Sequence, residues 1–296
     1  MTPLVIVGIA VGVLAGVRSV AVRLAERADA ARPRGPNGVV VGAEGFRLDR
    51  PGAPGVLLLH GGGDTPQTLR ELGERLHAAG FAISAPLLPG HGRSVRDFRH
   101  VNAQGLHAAA LAAYDALRDD RAWTAIVGLS MGGALATLTA AARPDAAALV
   151  LLAPYLDLPA HLRLAAALAG AAGVLSPYYP AKDQRSIRDP AARERGLAYG
   201  VFTPAALRAL RDTADAAAAA LPRVAAPTLI LQSERDNRVA PEVAIRALGR
   251  LGATDKRLEW VSDGGHVITV DYGREKVFAL TAEWLRDHGA DALLPS

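Results

Sequence analysis

The segment Gly128-Leu129-Ser130-Met131-Gly132-Gly133 sets a serine in a G-x-S-x-G frame, between the apolar run Ala125–Val127 and a stretch rich in Ala and Leu. This is the context of a nucleophile elbow. A sharp strand-to-helix turn presents the hydroxyl, and glycines on either side let neighbouring backbone pass without a Cβ clash. A serine hydroxyl is a weak nucleophile at neutral pH, so it needs an imidazole to accept its proton and a carboxylate to fix that imidazole's tautomer. The chemistry in view is acyl transfer through a covalent intermediate, with Ser130 as the candidate nucleophile.

On such an elbow the partners follow the serine in the order acid, then histidine. Of eight histidines only His161, His266 and His288 lie after Ser130. His266 closes the glycine-rich loop Asp263-Gly264-Gly265-His266 after a predicted strand, whereas His161 falls in an irregular helical region and His288 near the C-terminus. Asp236, just past the apolar run Thr228–Gln232 and 30 residues before His266, is the preferred acid; Glu234 is its nearest rival and Asp263 a weaker one. The oxyanion of a tetrahedral intermediate needs two preorganised N–H donors. One is expected from Met131, the other from His60-Gly61-Gly62-Gly63, with Gly62 the first choice and Gly61 the second.

These residues need a scaffold that brings distant segments to one edge. Val56–Leu59 is a short apolar run bounded by Pro and Gly, as expected of a strand buried on both faces of a parallel sheet. Thr68–Ala79 carries Leu69, Leu72 and Leu76 at helical spacing, and Gly80 precedes a second strand through Phe81 to Ala85. The alternation continues with a helix at Leu106–Arg118, a strand at Thr124–Gly128, a helix at Met131–Ala142 and a strand at Ala147–Ala153. Further strands at Thr228–Gln232 and Arg257–Val261 and a closing helix at Arg274–Asp287 complete the pattern. It predicts an α/β fold, a mostly parallel sheet flanked by helices. The rhythm breaks between about Tyr155 and Ala220, where Pro177, Pro180, Pro190 and Pro204 interrupt an Ala-rich helical stretch. That stretch is expected to be a helical cap over an apolar pocket, with Leu156, Leu175, Tyr178 and Tyr199 as candidate liners.

Four motifs resemble the α/β-hydrolase superfamily, and within it the bacterial carboxylesterases and monoacylglycerol lipases. Leu59-His60-Gly61-Gly62-Gly63-Asp64-Thr65-Pro66 is similar to their oxyanion loop, and Leu88-Pro89-Gly90-His91-Gly92-Arg93-Ser94 to their Pro-Gly-His-Gly loop. Gly128–Gly133 resembles their elbow and Gly265-His266-Val267-Ile268-Thr269 their histidine loop. The resemblance spans about Gly38 to Gly289, cap included, and implies that His91 is a structural loop residue. Two positions depart from it: Gly62 stands where those enzymes often carry a bulky residue, and Asp64 where they carry glycine. The first departure predicts a wider acyl pocket. The triple glycine also resembles lipases with a glycine-rich oxyanion loop, but Thr65-Pro66 and the helix after it favour the first group.

Composition narrows the function further. The chain has 296 residues, 50% of them hydrophobic and 21% charged, which suits a large globular core and excludes pervasive disorder. A net charge of +4 with arginines scattered among acids argues against nucleic acid as partner. With no cysteine, disulfides, thiolate metal sites and cysteine nucleophiles are absent, and triad chemistry calls for no metal or organic cofactor. The expected partner is a small ester with an apolar acyl chain.

The N-terminal segment reads separately. Residues 4–17 are uncharged and apolar, and snorkelling of Arg18 extends the run to about Val22. A membrane anchor over residues 1–22 is the preferred reading, with residues 23–45 as linker and 46–296 as catalytic domain. The arginines that follow place that domain on the cytoplasmic side. The alternatives are a cleaved signal peptide with Ala28-Asp29-Ala30 as its site, giving a secreted protein, or a helix belonging to a soluble domain. The chain is thus expected to be a serine carboxylic ester hydrolase. Amide or thioester hydrolysis, or acyl transfer, on the same triad is the alternative, and a non-catalytic, membrane-tethered binding protein the last.

Overall fold

The computed structural model describes residues 3–119, 121–175, 177–181 and 186–289, the side chains of residues 3–14, 17 and 170–175 excepted. Short runs of Val, Ile and Leu flanked by Gly and Pro form the strands β1 (Phe46–Leu48), β2 (Gly55–Leu59), β3 (Ala82–Ala85), β4 (Thr124–Leu129) and β5 (Leu149–Leu152). Two-residue β6 (Tyr179–Pro180) and β7 (Val201–Phe202) pair with each other, and β8 (Thr228–Ser233) and β9 (Lys256–Val261) return to the main sheet. Its order is β1-β3-β2-β4-β5-β8-β9, with β1 antiparallel to β3 and every other pair parallel. The edge strand β1 goes unmarked in the sequence pattern because three residues carry no readable period.

Along each central strand successive side chains feed opposite cores, as the two-residue period of a strand requires. Leu57, Leu59, Ile126, Leu149, Leu151 and Ile230 face one layer, and Val56, Leu58, Val127, Val150, Leu152 and Leu229 the other. The first layer is covered by α3 (Ala103–Arg118), α4 (Met131–Ala142), α7 (Pro204–Ala220) and α8 (Pro241–Arg250), the second by α2 (Arg70–Ala78) and α9 (Arg274–Asp287). Between β5 and β8 the chain leaves the sheet through α5 (Ala160–Leu175), β6, α6 (Pro190–Arg195), β7 and α7. Here α7 packs on both α5 and α4, linking the inserted stretch to the helix that follows Ser130.

The order of strands positions the site. From β2 the chain goes to β3 on one side and then crosses to β4 on the other, so the connections after β2 and β4 diverge and leave a crevice at their carboxyl ends. Register pairs Leu59 with Gly128, which sets the His60–Gly63 loop directly beside Ser130.

The N-terminal expectation is corrected. Among the described residues no helix is long and apolar enough to cross a membrane, so neither an anchor over residues 4–22 nor the cytoplasmic-side placement built on it stands. A single helix, α1 (Pro3–Ala30), runs through Ala28-Asp29-Ala30, and its second half is polar because it docks on the domain. Glu26 accepts from Arg96 Nη2 at 2.6 Å and from the Tyr178 hydroxyl at 3.1 Å; Asp29 accepts from Arg34 Nη2 at 2.8 Å and from the Val95 N–H at 3.3 Å. Residues 31–45, read as a linker, are likewise held: Val39, Val40 and Ala43 are buried, and the Arg32 guanidinium donates to the carbonyls of Leu197 and Ala198. Pro and Gly suggested a spacer; the burial of Val39 and Val40 was invisible without their tertiary partners.

Candidate active site

Ser130 has φ 56° and ψ −118°, a left-handed backbone that non-glycine residues rarely adopt. Surrounding hydrogen bonds hold it there. The Ser130 N–H donates to Leu152 O at 2.8 Å, and its carbonyl accepts from Gly133 N–H at 2.9 Å and Tyr155 N–H at 3.0 Å. The flanking glycines are required by contact: a Cβ on Gly132 would collide with the carbonyls of Leu59 and His60, and one on Gly128 with the backbone of Gly132 and Gly133. The turn is thus specified from β2, β4 and β5 together.

His266 Nε2 lies 2.8 Å from Ser130 Oγ, and its Nδ1 lies 2.8 Å from Asp236 Oδ2. Asp236 is fully enclosed as a side chain and well satisfied. Besides His266 it accepts from Gln232 Nε2 at 2.9 Å and from the N–H groups of Arg238 and Val239 at 2.7 and 2.9 Å. Burial pushes its carboxyl up, but the His266 charge and these hydrogen bonds outweigh burial and hold it below the usual carboxylate range. The rival acids sit elsewhere: Glu234 and Asp263 are exposed, and among the described residues Asp263 accepts only from Ser262 Oγ. Among the other histidines, His161 is exposed, and His288 bonds Trp284 O and Asp255 on the surface.

Gly62 and Met131 are neighbours across the crevice, a Cβ on Gly62 falling 3.2 Å from Met131 Sδ. Among the described residues neither N–H has a protein acceptor, whereas Gly63 N–H is taken by His91 Nε2 at 3.0 Å. Two buried imidazoles brace this loop. His60 Nε2 accepts Leu88 N–H at 3.1 Å, and burial holds both rings neutral, with His91 pushed down to about 4. His91 therefore fixes the His60–Gly63 loop by accepting a hydrogen bond from Gly63 N–H.

Of the expected pocket liners, Leu156, Tyr178 and Tyr199 are buried in one apolar cluster with Met131 and Tyr155. The two tyrosines also tie layers together through their hydroxyls. Tyr178 reaches Glu26, and the Tyr199 hydroxyl accepts from Arg93 N–H and donates to Gly90 O. The Leu175 side chain lies outside the described residues. Sequence reasoning missed Tyr155, whose ring stands edge-on to His266 at 6.2 Å, and Asp271. Asp271 is fully buried and accepts four backbone N–H groups, from Gly265, Tyr272, Arg188 and Asp189, at 2.7–2.8 Å. A carboxylate five residues after the histidine, behind the apolar Val267–Val270 turn, was the signal that could have found it.

A hydroxyl, an imidazole and a buried carboxylate in one hydrogen-bonded line, beside two free N–H groups, can shuttle one proton while stabilising an oxyanion. With the seven-stranded sheet and its elbow, this defines the class: a serine hydrolase of the α/β-hydrolase fold. The chain belongs to the hydrolase family described as serine aminopeptidase, S33, whose sequence model matches residues 53–272. It is 30% identical over 250 residues to a thermostable monoacylglycerol lipase of Bacillus sp. (strain H-257), covering 84% of this chain and 97% of that one. It is 27% identical over 236 residues to a carboxylesterase of Bacillus subtilis (strain 168), covering 79% and 93%. Among solved structures, one reported for the metagenome-derived lipolytic enzymes LipS and LipT superposes with a TM-score of 0.77 at 28% identity, covering 84% of this chain and all of that one. The monoacylglycerol lipase of Paleococcus ferrophilus gives 0.70 at 25% identity, covering 83% and 99%. The protein is a serine ester hydrolase.

Proposed function

We propose that the protein hydrolyses short- to medium-chain carboxylic esters, monoacylglycerols among them, with Ser130, His266 and Asp236 as its catalytic triad. The observation that carries this reading is the unbroken line Ser130 Oγ to His266 Nε2 and His266 Nδ1 to Asp236 Oδ2, 2.8 Å at each step. The likeness to a monoacylglycerol lipase and a carboxylesterase supports the substrate class.

Ser130 Oγ attacks the ester carbonyl as His266 Nε2 takes its proton, and the carbonyl oxygen becomes an oxyanion facing the N–H groups of Gly62 and Met131. Asp236, ionised at neutral pH, orients the ring and stabilises the imidazolium. His266 then protonates the departing alcohol, leaving Ser130 acylated. Water attacks the acyl-enzyme with His266 again as base, releasing the acid and restoring the serine. Because fold and triad do not dictate the leaving group, amide substrates are the second reading, favoured by the serine aminopeptidase description of the family.

The test is hydrolysis of p-nitrophenyl esters from acetate to palmitate by the full chain, beside Ser130→Ala and matched anilides. Turnover with a chain-length optimum, lost in the variant, is the expected result. Inert folded wild type on every ester, with cleavage of the anilides, would overturn the ester reading in favour of the amide one.

A further inference from the structure

Gln232 stands next to last in β8, and among the described residues it is the side chain other than His266 that meets the Asp236 carboxylate. Its Nε2 lies 2.9 Å from Asp236 Oδ2, the same oxygen that His266 Nδ1 meets at 2.8 Å, whereas Oδ1 takes the Arg238 and Val239 amides. The opposite amide orientation would set two acceptors face to face, so the donor is the end that points at Asp236. Gln232 is fully buried, and its Oε1 has no partner among the described residues. The second reach of Nε2, to Ser233 O, is long at 3.5 Å.

A buried amide oxygen without a donor costs stability. A side chain kept here for packing alone would be apolar, like the buried Leu229, Ile230 and Leu231 before it. The amide is thus a burden on the fold, and its one short bond goes to the triad. A donor on Oδ2 draws charge from the oxygen that stabilises the imidazolium. The ring then holds its proton less tightly than it would beside a carboxylate oxygen shared with no other group, and it remains an unprotonated base to lower pH.

We propose that Gln232 is a positioning residue that holds Asp236 Oδ2 toward His266 and, by sharing that oxygen, extends the range of His266 as a base to lower pH. This rests on the triad reading above and deepens it. The other charged or titratable groups about the pair are Asp64, which interacts with the His266 charge, Tyr155, edge-on to the ring, and Asp271, which holds Gly265 N–H behind the loop. Arg188 and Arg235 line a cavity with Asp236, and the charges of Arg238 and Asp236 both reach Tyr155. All six remain when Gln232 is replaced. Asp64, pushed by burial up to about 6, titrates in the same range and needs its own control.

The experiment measures kcat/KM of the full chain for p-nitrophenyl butyrate from about pH 5 to 9 in wild type, Gln232→Met, Asp64→Asn and the double variant, with thermal unfolding of each. Methionine keeps the length of the side chain and removes the donor; the bond it loses and the unpaired oxygen it removes offset each other, so it is expected to fold. The acid limb of kcat/KM is expected to move up by about half a unit in Gln232→Met, with or without Asp64, since only part of a charge-assisted hydrogen bond is passed on through the shared oxygen. A limb that stays in place or moves down overturns the proposal. So does a uniform loss of rate at every pH or a failure of Gln232→Met to fold, either of which would mark Gln232 as structural. A shift seen only with Asp64 present assigns the limb to Asp64 and overturns it as well. Folded wild type without ester turnover, or turnover that survives His266→Ala, would mean that the triad reading itself has failed, a result distinct from an unmoved limb.

Discussion

His266 is the hinge of the residue-scale chemistry, because its two nitrogens must face different partners in one tautomer. Asp236 secures this with an Oδ2 that meets Nδ1 and an Oδ1 pinned by two backbone amides. Asp236→Asn keeps the shape but can donate to the ring and select the wrong tautomer; kcat is expected to fall about 10⁴-fold with KM little changed, read by steady-state kinetics on a p-nitrophenyl ester. Asp64 has the opposite electrostatics. Its folded pKa, about 6, lies above its ordinary value of 3.8, so the folded protein holds the proton more tightly. The associated stability is fully present below pH 3.8 and is lost as pH rises through 6. Asp64→Asn, neutral throughout, is therefore expected to gain on wild type across that window, by up to about 3 kcal/mol at pH 7. Thermal unfolding of both proteins from pH 4 to 7.5 checks it, and a constant difference across the range would refute it.

At the scale of elements, the site depends on loops stitched together by groups that never touch substrate. Asp271 joins the His266 loop to the 186–189 segment through four backbone amides, and replacing it with alanine leaves buried donors without acceptors. Asp271→Ala is expected to cost about 3–5 kcal/mol in denaturant unfolding and to lower kcat, as His266 loses its fixed distance to Ser130. Unchanged unfolding would mean that the loop is held by other means. These supports were poorly legible in the sequence, because the only mark of Asp271 is its place five residues after His266, and its four donors come from two segments distant along the chain. The elbow was legible because a steric demand on Gly128 and Gly132 writes itself into residue type.

Over the whole molecule, α1 and residues 31–45 form a strap that reaches across to the inserted stretch and to the loop after β3. Glu26, Asp29 and Arg32 make its polar ties, and Asp29 is 8% exposed, so its bonds are poorly screened. Deleting residues 1–30 is expected to lower the melting temperature by several degrees, because Arg34, Arg96 and Tyr178 each lose a carboxylate acceptor on Glu26 or Asp29. Scanning calorimetry of the shortened and full chains reads this; identical curves would mean that α1 contributes no net stability.

Residue type and order alone determined the alternation of strands and helices, the elbow at Ser130 and the preference for His266 and Asp236 over their rivals. Each of these is imposed locally, by a two-residue or 3.6-residue period or by a glycine that a tight turn demands. Only the tertiary structure decided that the polar second half of α1 docks on the domain through Glu26 and Asp29, how Asp271 braces the histidine loop, and that Asp64 lies buried. Those facts depend on which distant segments meet, and burial and hydrogen-bond satisfaction belong to the assembled fold rather than to any stretch of chain.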